Sequence, residues 1–439
     1  MKKKLAVVSL VVLGLYGIML FVAIATPLRP CAPFGGNVSW MTPAGDFRVR
    51  LNGINCLRGG VNPYDVWRGA VILKPYIPYG GDLAPILERT EGHNEYINAD
   101  VPWSYTLLLP LSFLPMKAAY SAFFFVQVAG LCLLFAAGLS LAMRMCLGKH
   151  GACIAAAAAL LLAGLPLGRD FESGNLAIIS LSGAVMMAVC LNRGKRVLAG
   201  MFWAVAMIKP QLGLVFAIPL LMRKEFLTCF VAAALCLILS IPPALMCHAS
   251  LWDMITLAPN ANVYCYYGSG TFPWSLLQFI PKKPSIFIGV VIGAAVCALM
   301  TRMMSRQKDW FLYMLPAFIM APAWTYSLCY CHSYNWLFFL VLLCCIAKEP
   351  SSKALWLILV ASLPFSTRVF NIAHFAGMLR PELATGKLAF IFDGYGAIDS
   401  LITTVSLALG IVLCLRLSDV TRPCPALPRA EPAGGRLLV

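Results

Sequence analysis

Long apolar segments separated by short polar ones dominate this chain. About ten of them approach the roughly 20 residues that a helix needs to cross a hydrocarbon core, so the pattern predicts an all-α polytopic membrane protein. The predicted spans are Leu5–Thr26, Lys117–Met143, Ala152–Leu167, Gly174–Leu191, Leu227–Cys247, Ser285–Met304, Trp310–Thr325, Ser333–Ala347, Ala354–Phe370 and Ala397–Leu415.

The apolar stretch 197–222 differs because Lys209-Pro210-Gln211 lies at its middle. Proline breaks a helix, and a lysine at membrane depth is costly unless it faces protein or water. The stretch is either one kinked span or a re-entrant hairpin. As a hairpin it leaves the later inner loops with roughly twice the lysines and arginines of the later outer loops, whereas a single span reverses this bias. We therefore predict a hairpin, with both termini in the cytoplasm.

Composition supports a membrane protein with one domain. Apolar residues make up 60% of the chain and charged residues 12%, with a mean hydropathy of +0.81. We expect one transmembrane domain over residues 1–418 and a disordered cytoplasmic tail over 419–439. The net charge of +16 gathers on the predicted cytoplasmic side, where the partner is anionic lipid. Nucleic acid is excluded as a partner, since no basic stripe with interleaved aromatic residues occurs in a soluble module.

The 17 cysteines lie mostly in apolar runs, where they pack as small apolar side chains. The sequence has no CxxC pair and no Cys/His spacing typical of a metal site, so we expect neither metal nor cofactor. Cys31 and Cys56 share the first outer loop, and a disulfide between them stays open.

The predicted first outer loop, residues 28–116, holds most of the polar complexity. After Asp46, four apolar residues fall on one helical face and three polar residues on another, which predicts an interfacial helix that ends at Gly59-Gly60. The apolar residues are Phe47, Leu51, Ile54 and Leu57, and the polar ones are Arg48, Asn52 and Asn55. Asp46 then begins the helix, either as its N-cap or as a general base for a hydroxyl at the membrane surface.

The order of several short motifs resembles glycosyltransferase family 87, whose members are membrane enzymes of the GT-C fold that use polyprenyl-phosphate sugars. The matching positions are Asp46, Gly60, Tyr64-Asp65, Pro102-Trp103-Ser104-Tyr105, Pro110-Leu111-Ser112-Phe113-Leu114-Pro115, Gly174-Asn175, Arg196, Ala199-Gly200, Ile208-Lys209-Pro210 and, more weakly, Ala321-Pro322-Ala323-Trp324. The late motif departs from the family, because Thr325-Tyr326 stands where histidines usually follow the tryptophan.

This resemblance implies an inverting hexosyltransferase, many relatives being mannosyltransferases, that acts on a lipid-linked or cell-surface glycan. Asp46 matches the family's catalytic base. The predicted topology places the site on the periplasmic side of the cytoplasmic membrane. There Lys209 is the main candidate for the donor phosphate, although it is equally compatible with a snorkelling or paired lysine. Arg169 and Arg380 are weaker candidates, and each also fits an interfacial anchor.

Five further residues are candidates for contacts with the acceptor or the sugar: Tyr64, Trp103, Asp170, Glu172 and Asn175. Each also has a structural interpretation. Asp170 and Glu172 fit a solvated loop, Tyr64 with Asp65 fits a structural corner, and Trp103 fits an interfacial aromatic belt.

Other functions remain open at this stage. Broken helices with a charged apex are also typical of transporters and flippases, although no second Lys-Pro break pairs with the first. A glycan polymerase or ligase with a pyrophosphate-linked donor would depend more on Arg169 or Arg380. A non-catalytic subunit of a cell-envelope complex is the third alternative.

Overall fold

The computed structural model describes residues 45–67, 100–144, 174–256 and 282–328 of the chain. Every regular element in those ranges is helical, in agreement with the predicted all-α class. The α-helices are α1 (Gly45–Arg58), α2 (Pro63–Trp67), α3 (Pro102–Leu108), α4 (Met116–Arg144), α5 (Ala177–Asn192), α6 (Arg196–Ala206), α7 (Pro210–Gly213), α8 (Ala217–Met222), α9 (Phe226–Met246), α10 (Lys282–Met303), α11 (Trp310–Tyr313) and α12 (Leu315–Leu328). Short 3₁₀ turns occupy Leu109–Phe113, Leu214–Phe216 and Met304–Arg306.

Five predicted spans fall within the described ranges, and each is helical. α4, α5, α9 and α10 match four of them within about three residues. The fifth, predicted as Trp310–Thr325, is divided into α11 and α12 at Met314. The spans that begin at Leu5, Ala152, Ser333, Ala354 and Ala397 lie outside the described residues, so the total of ten spans and their orientation stay predictions.

α9 is the described helix that is long and apolar enough to cross a membrane by length and composition. It also carries large apolar side chains that are mostly exposed, such as Phe230 and Leu245, each 70% exposed. Exposed apolar side chains of this size fit contact with lipid.

The stretch 197–222 reverses direction at residues 207–209. Its two ends lie together, because the Nε of Arg196 is 3.0 Å from the Oε2 of Glu225. Near the turn, the indole N–H of Trp203 donates to the carbonyl oxygen of Gly213 across 2.9 Å. Gly213 has no room for a side chain, since a Cβ there would lie 2.7 Å from the carbonyl oxygen of Ala206. The chain therefore forms a tight hairpin of α6 against α7 and α8.

The returning end of the hairpin is fastened to the segment before α11. The guanidinium of Arg223 donates to the carbonyl oxygen of Gln307. It also lies over the rings of Trp310 and Tyr313, 4.5 and 3.5 Å from their centroids. Desolvation lowers the pKa of Arg223, while the neighbouring Tyr313 raises it. We call this end of the helical assembly, with Arg196, Glu225 and Arg223, the base of the hairpin.

The apex of the hairpin lies about halfway along α9. α6 and α9 begin together at the base and pack against each other, with Gly200 against Thr228 and Val231. At 1.5 Å per residue, the 11 residues of α6 rise about 16 Å and the 21 residues of α9 about 31 Å. If α9 crosses the bilayer, the apex therefore lies near the middle of the membrane.

α3 contacts α9 at a similar depth. The hydroxyl of Thr106 donates to the carbonyl oxygen of Leu239 across 2.5 Å. In an unbroken helix that carbonyl would accept from the N–H of residue 243, but Pro243 has none. Thr106 therefore satisfies a backbone group that the proline leaves open.

α1 is more deeply buried than a helix lying on the membrane surface requires. Its apolar face, including Phe47 and Ile54, is fully buried as expected. Two residues of its polar face are buried as well, since Asn52 is 3% and Asn55 9% exposed. α1 packs within the protein, in an apolar cluster with Tyr64, Tyr105, Phe123 and Ile208.

Candidate active site at the hairpin apex

Three separate parts of the chain meet near residues 207–209. The indole N–H of Trp103 in α3 donates to the carbonyl oxygen of Met207 across 2.9 Å. Ile208 packs in the same apolar cluster as Phe47 of α1 and Leu176, which precedes α5. The apex, the start of α1 and the residues before α5 thus form one neighbourhood. It lies away from the base of the hairpin.

Lys209 occupies the apex itself and is only 5% exposed. Its carbonyl oxygen accepts from the N–H groups of Leu212 and Gly213, at 2.8 and 2.9 Å, which begins α7. From Pro210 the chain stays helical to Met222, with a 3₁₀ turn at Leu214–Phe216. The case for a phosphate contact rests on the charge of Lys209 and on the start of this helix beside it.

Gly174 allows α1 to approach the residues before α5. Its φ is +72°, and a Cβ at this position would lie 2.5 Å from the Cβ of Phe47. The Nη1 of Arg50 donates to the carbonyl oxygen of Gly174 across 3.1 Å. Both the backbone conformation and the close approach require glycine.

Asn175 is 6% exposed and is held by α4. Its carbonyl oxygen accepts from the Nε2 of Gln127, a fully buried side chain, across 2.7 Å. The bond fixes the backbone of Asn175 just ahead of α5.

Asp46 is the second residue of α1, so the helix begins one residue earlier than predicted and Asp46 lies within its first turn. Phe47, the next residue, stacks on Phe123 with ring centroids 4.8 Å apart. One turn later, the Nε of Arg50 lies 2.8 Å from the Oδ2 of Asp100. These contacts hold the first turn of α1, including the backbone of Asp46, beside Gly174.

Residues 101–257 match the sequence model of glycosyltransferase family 87. The chain is a glycosyltransferase, similar to this family over that segment. The match covers about a third of the chain and contains Trp103, Asn175 and Lys209. The comparisons with curated proteins and with solved structures find no match.

Two aromatic candidates of this glycosyltransferase have structural contacts. Tyr64 is fully buried, and its hydroxyl donates to the carbonyl oxygen of Asp100 across 2.5 Å. Burial raises the pKa of Tyr64 well above its usual value, so the phenol stays neutral. This geometry fits the structural corner and leaves Tyr64 no face for a sugar. Trp103 is half-buried, with its N–H engaged at the apex.

Other candidate residues of the enzyme lie outside the described ranges: Arg169, Asp170, Glu172 and Arg380. Within those ranges, no group of three or more His, Cys, Asp or Glu side chains could hold a metal ion. Cys56 is a buried free thiol there, and its proposed disulfide partner Cys31 is not among the described residues.

The sequence analysis missed Arg50, Asp100 and Gln127, which together hold this part of the glycosyltransferase in place. Gln127 carried a usable signal, because it is an uncharged polar residue within an apolar span. Arg50 follows Asp46 by four residues, one helical turn. Its partner Asp100 lies 50 positions along the chain, and nothing in the sequence pairs the two.

Proposed function

We propose that this glycosyltransferase is an inverting enzyme that moves a hexose such as mannose from a polyprenyl-phosphate donor. The acceptor is a lipid-linked or cell-surface glycan. The observation that carries the proposal is the packing of the first turn of α1 against Gly174, within one neighbourhood of the Lys209 apex. Through this packing, the helix turn that carries Asp46 lies against the segment that matches the family, residues 101–257.

Asp46 acts as the general base in this proposal. Its carboxylate takes the proton of an acceptor hydroxyl, and the hydroxyl oxygen attacks the anomeric carbon. The bond from that carbon to the phosphate oxygen breaks, and its electrons leave with polyprenyl phosphate. Phosphate is a good leaving group, so positive charge matters more than a general acid.

Lys209 supplies that positive charge in the proposal. It is buried at the apex of the hairpin. Arg169 and Arg380 are additional phosphate candidates. Asp170, Glu172 and Asn175 are candidates for holding the acceptor, and Trp103 supports the apex.

We place the apex on the periplasmic side and the base in the cytoplasm. Exposed cations gather at the base, where Arg193, Lys195, Lys224, Arg302 and Lys308 carry solvent-facing side chains. Cytoplasmic loops carry such an excess of lysine and arginine. The acidic residue Glu225 at this end is buried and paired with Arg196.

The test of donor class uses the purified protein in detergent with three radiolabelled donors: polyprenyl-phosphate mannose, a polyprenyl-pyrophosphate sugar and a nucleotide mannose. The proposal predicts consumption of the first alone, with inversion at the anomeric carbon. Consumption of the pyrophosphate donor would contradict the proposal and would indicate a glycan polymerase or ligase instead.

A matched pair of lysine variants tests the phosphate contact. Lys209→Met is expected to lower transfer about 100-fold, as the loss of one transition-state donor does. Lys308→Met removes an exposed lysine at the base and is expected to leave transfer unchanged. Full activity in a folded Lys209→Met protein would remove Lys209 from the mechanism.

A further inference from the structure

We propose that the Arg50–Asp100 ion pair is a positioning unit that aims the first turn of α1 at the substrate. The inference rests on the proposed role of Asp46 and adds residues that the sequence motifs do not contain. Neither residue is proposed to touch the substrate.

The pair is buried and joins three distant parts of the chain. Arg50 is 2% exposed, with its Nε 2.8 Å from the Oδ2 of Asp100. Its Nη1 donates to the carbonyl oxygen of Gly174 across 3.1 Å. A single guanidinium thus ties α1 both to the residues before α3 and to the residues before α5.

The contact with Tyr64 extends the unit. The hydroxyl of Tyr64 donates to the backbone carbonyl of Asp100, which fixes the main chain that carries the carboxylate. Tyr105 lies close to the same residue, and its pKa is raised by burial first and then by the charge of Asp100. These contacts hold the Asp100 carboxylate in a fixed position.

Stability alone does not require this pair. Moving two charges out of water is costly, and apolar residues of similar volume often replace a buried pair without loss of stability. α1 already buries Phe47, Leu51, Ile54 and Leu57. An apolar pair would lack both the charge that holds Arg50 beside Asp100 and the directed hydrogen bond from its Nη1 to the carbonyl oxygen of Gly174.

The orientation of Arg50 matters because it determines how α1 is rotated at Asp46. Arg50 follows Asp46 by one turn, so the two positions lie on the same side of α1. Fixing Arg50 against Gly174 fixes the rotation of the helix about its axis at Asp46. A displacement of about 1 Å in a reacting group costs about 100-fold in rate.

The experiment compares the single variants Arg50→Met and Asp100→Leu with the double variant Arg50→Met/Asp100→Leu. Each is measured for thermal unfolding and for kcat and KM with the polyprenyl-phosphate donor. Each single variant leaves one buried charge unpaired and is expected to unfold at a lower temperature. The double variant is expected to recover most of the unfolding temperature that the single variants lose. Its kcat is nevertheless expected to stay about 10- to 100-fold below that of wild type, with KM changed less than about threefold.

If the pair served stability alone, the kcat of the double variant would recover together with its unfolding temperature. A wild-type kcat in the double variant overturns the proposal. If the double variant does not fold, Arg50→Lys decides the question. It keeps the charge for Asp100 but not the forked geometry, and a wild-type kcat in this variant overturns the proposal as well.

Two further variants separate this inference from the proposed function. Arg58→Met removes a cation that fastens the last turn of the same helix, far from Asp46, through the carbonyl oxygen of Ser112 and the ring of Phe113. This variant is expected to keep the wild-type kcat. Asp46→Asn is measured in parallel. If Asp46→Asn is inactive while the double variant is fully active, only the positioning role fails. If Asp46→Asn is active, the proposed base and the positioning role fail together.

Discussion

The indole N–H of Trp103 bonds to the carbonyl oxygen of Met207, and this 2.9 Å contact joins α3 to the apex of the hairpin. α3 is held in turn by Thr106 on the carbonyl oxygen of Leu239, midway along α9. The apex is therefore supported both from the base, through Arg196 and Glu225, and from the opposite side. The backbone of Lys209 at this apex is therefore held in a fixed position.

Gly174 is expected to tolerate no side chain. Alanine at a φ of +72° costs about 1–2 kcal/mol in backbone conformation. Overlap with Phe47 adds an overpacking cost of about 1–3 kcal/mol. Thermal unfolding of Gly174→Ala in detergent should therefore occur at a clearly lower temperature than that of wild type.

Gly194 provides the matched control for this change. Its φ is +71°, and a Cβ there would meet nothing within 4 Å. Gly194→Ala is expected to show the conformational cost alone. Equal losses in the two variants would show that Gly174 is not crowded by α1.

Thr106→Val is expected to destabilise the protein by about 1–3 kcal/mol, the cost of a buried acceptor left without a donor. Valine keeps the shape of threonine but cannot donate to Leu239. Chemical unfolding of the purified protein measures the loss. Pro243→Ala restores an N–H to α9, so the loss caused by Thr106→Val should be smaller in that background. An identical loss in both backgrounds would contradict the assignment.

Cys56 is expected to resist alkylation in the folded protein. Burial raises the pKa of its thiol from 9.0 to about 12, so the reactive thiolate is scarce at pH 8. Because the folded pKa lies above the unfolded one, this thiol favours the folded state below about pH 9 and loses that effect as the pH rises towards 12.

The measurement is mass-spectrometric mapping of N-ethylmaleimide adducts at pH 8, before and after unfolding. Rapid labelling of Cys56 in the native protein would contradict its placement. An unlabelled Cys56 after reduction and unfolding would show that the residue is blocked.

Sequence reasoning located the helices of the described ranges because long apolar runs depend on local composition. The break at Lys209-Pro210 was visible for the same reason. The charge bias also favoured a hairpin, and the Arg196–Glu225 ion pair places the two ends of that stretch together.

Sequence reasoning failed where long-range contacts decide the outcome. α1 shows a polar face in its sequence, but Asn52 and Asn55 are buried because other segments cover that face. The pairing of Arg50 with Asp100 and of Gln127 with Asn175 depends on how distant segments pack. Periodicity carries no information about such pairs.

The central claim is that Asp46 at the start of α1 is the base for sugar transfer. The most direct test measures kcat for transfer from polyprenyl-phosphate mannose by Asp46→Asn, with Asp253→Asn, an exposed carboxylate elsewhere, as the control. We predict a loss of about 100-fold or more for Asp46→Asn and no loss for Asp253→Asn, since a general base contributes about 10²–10⁴-fold. Transfer at the wild-type rate by a folded Asp46→Asn protein would contradict the account.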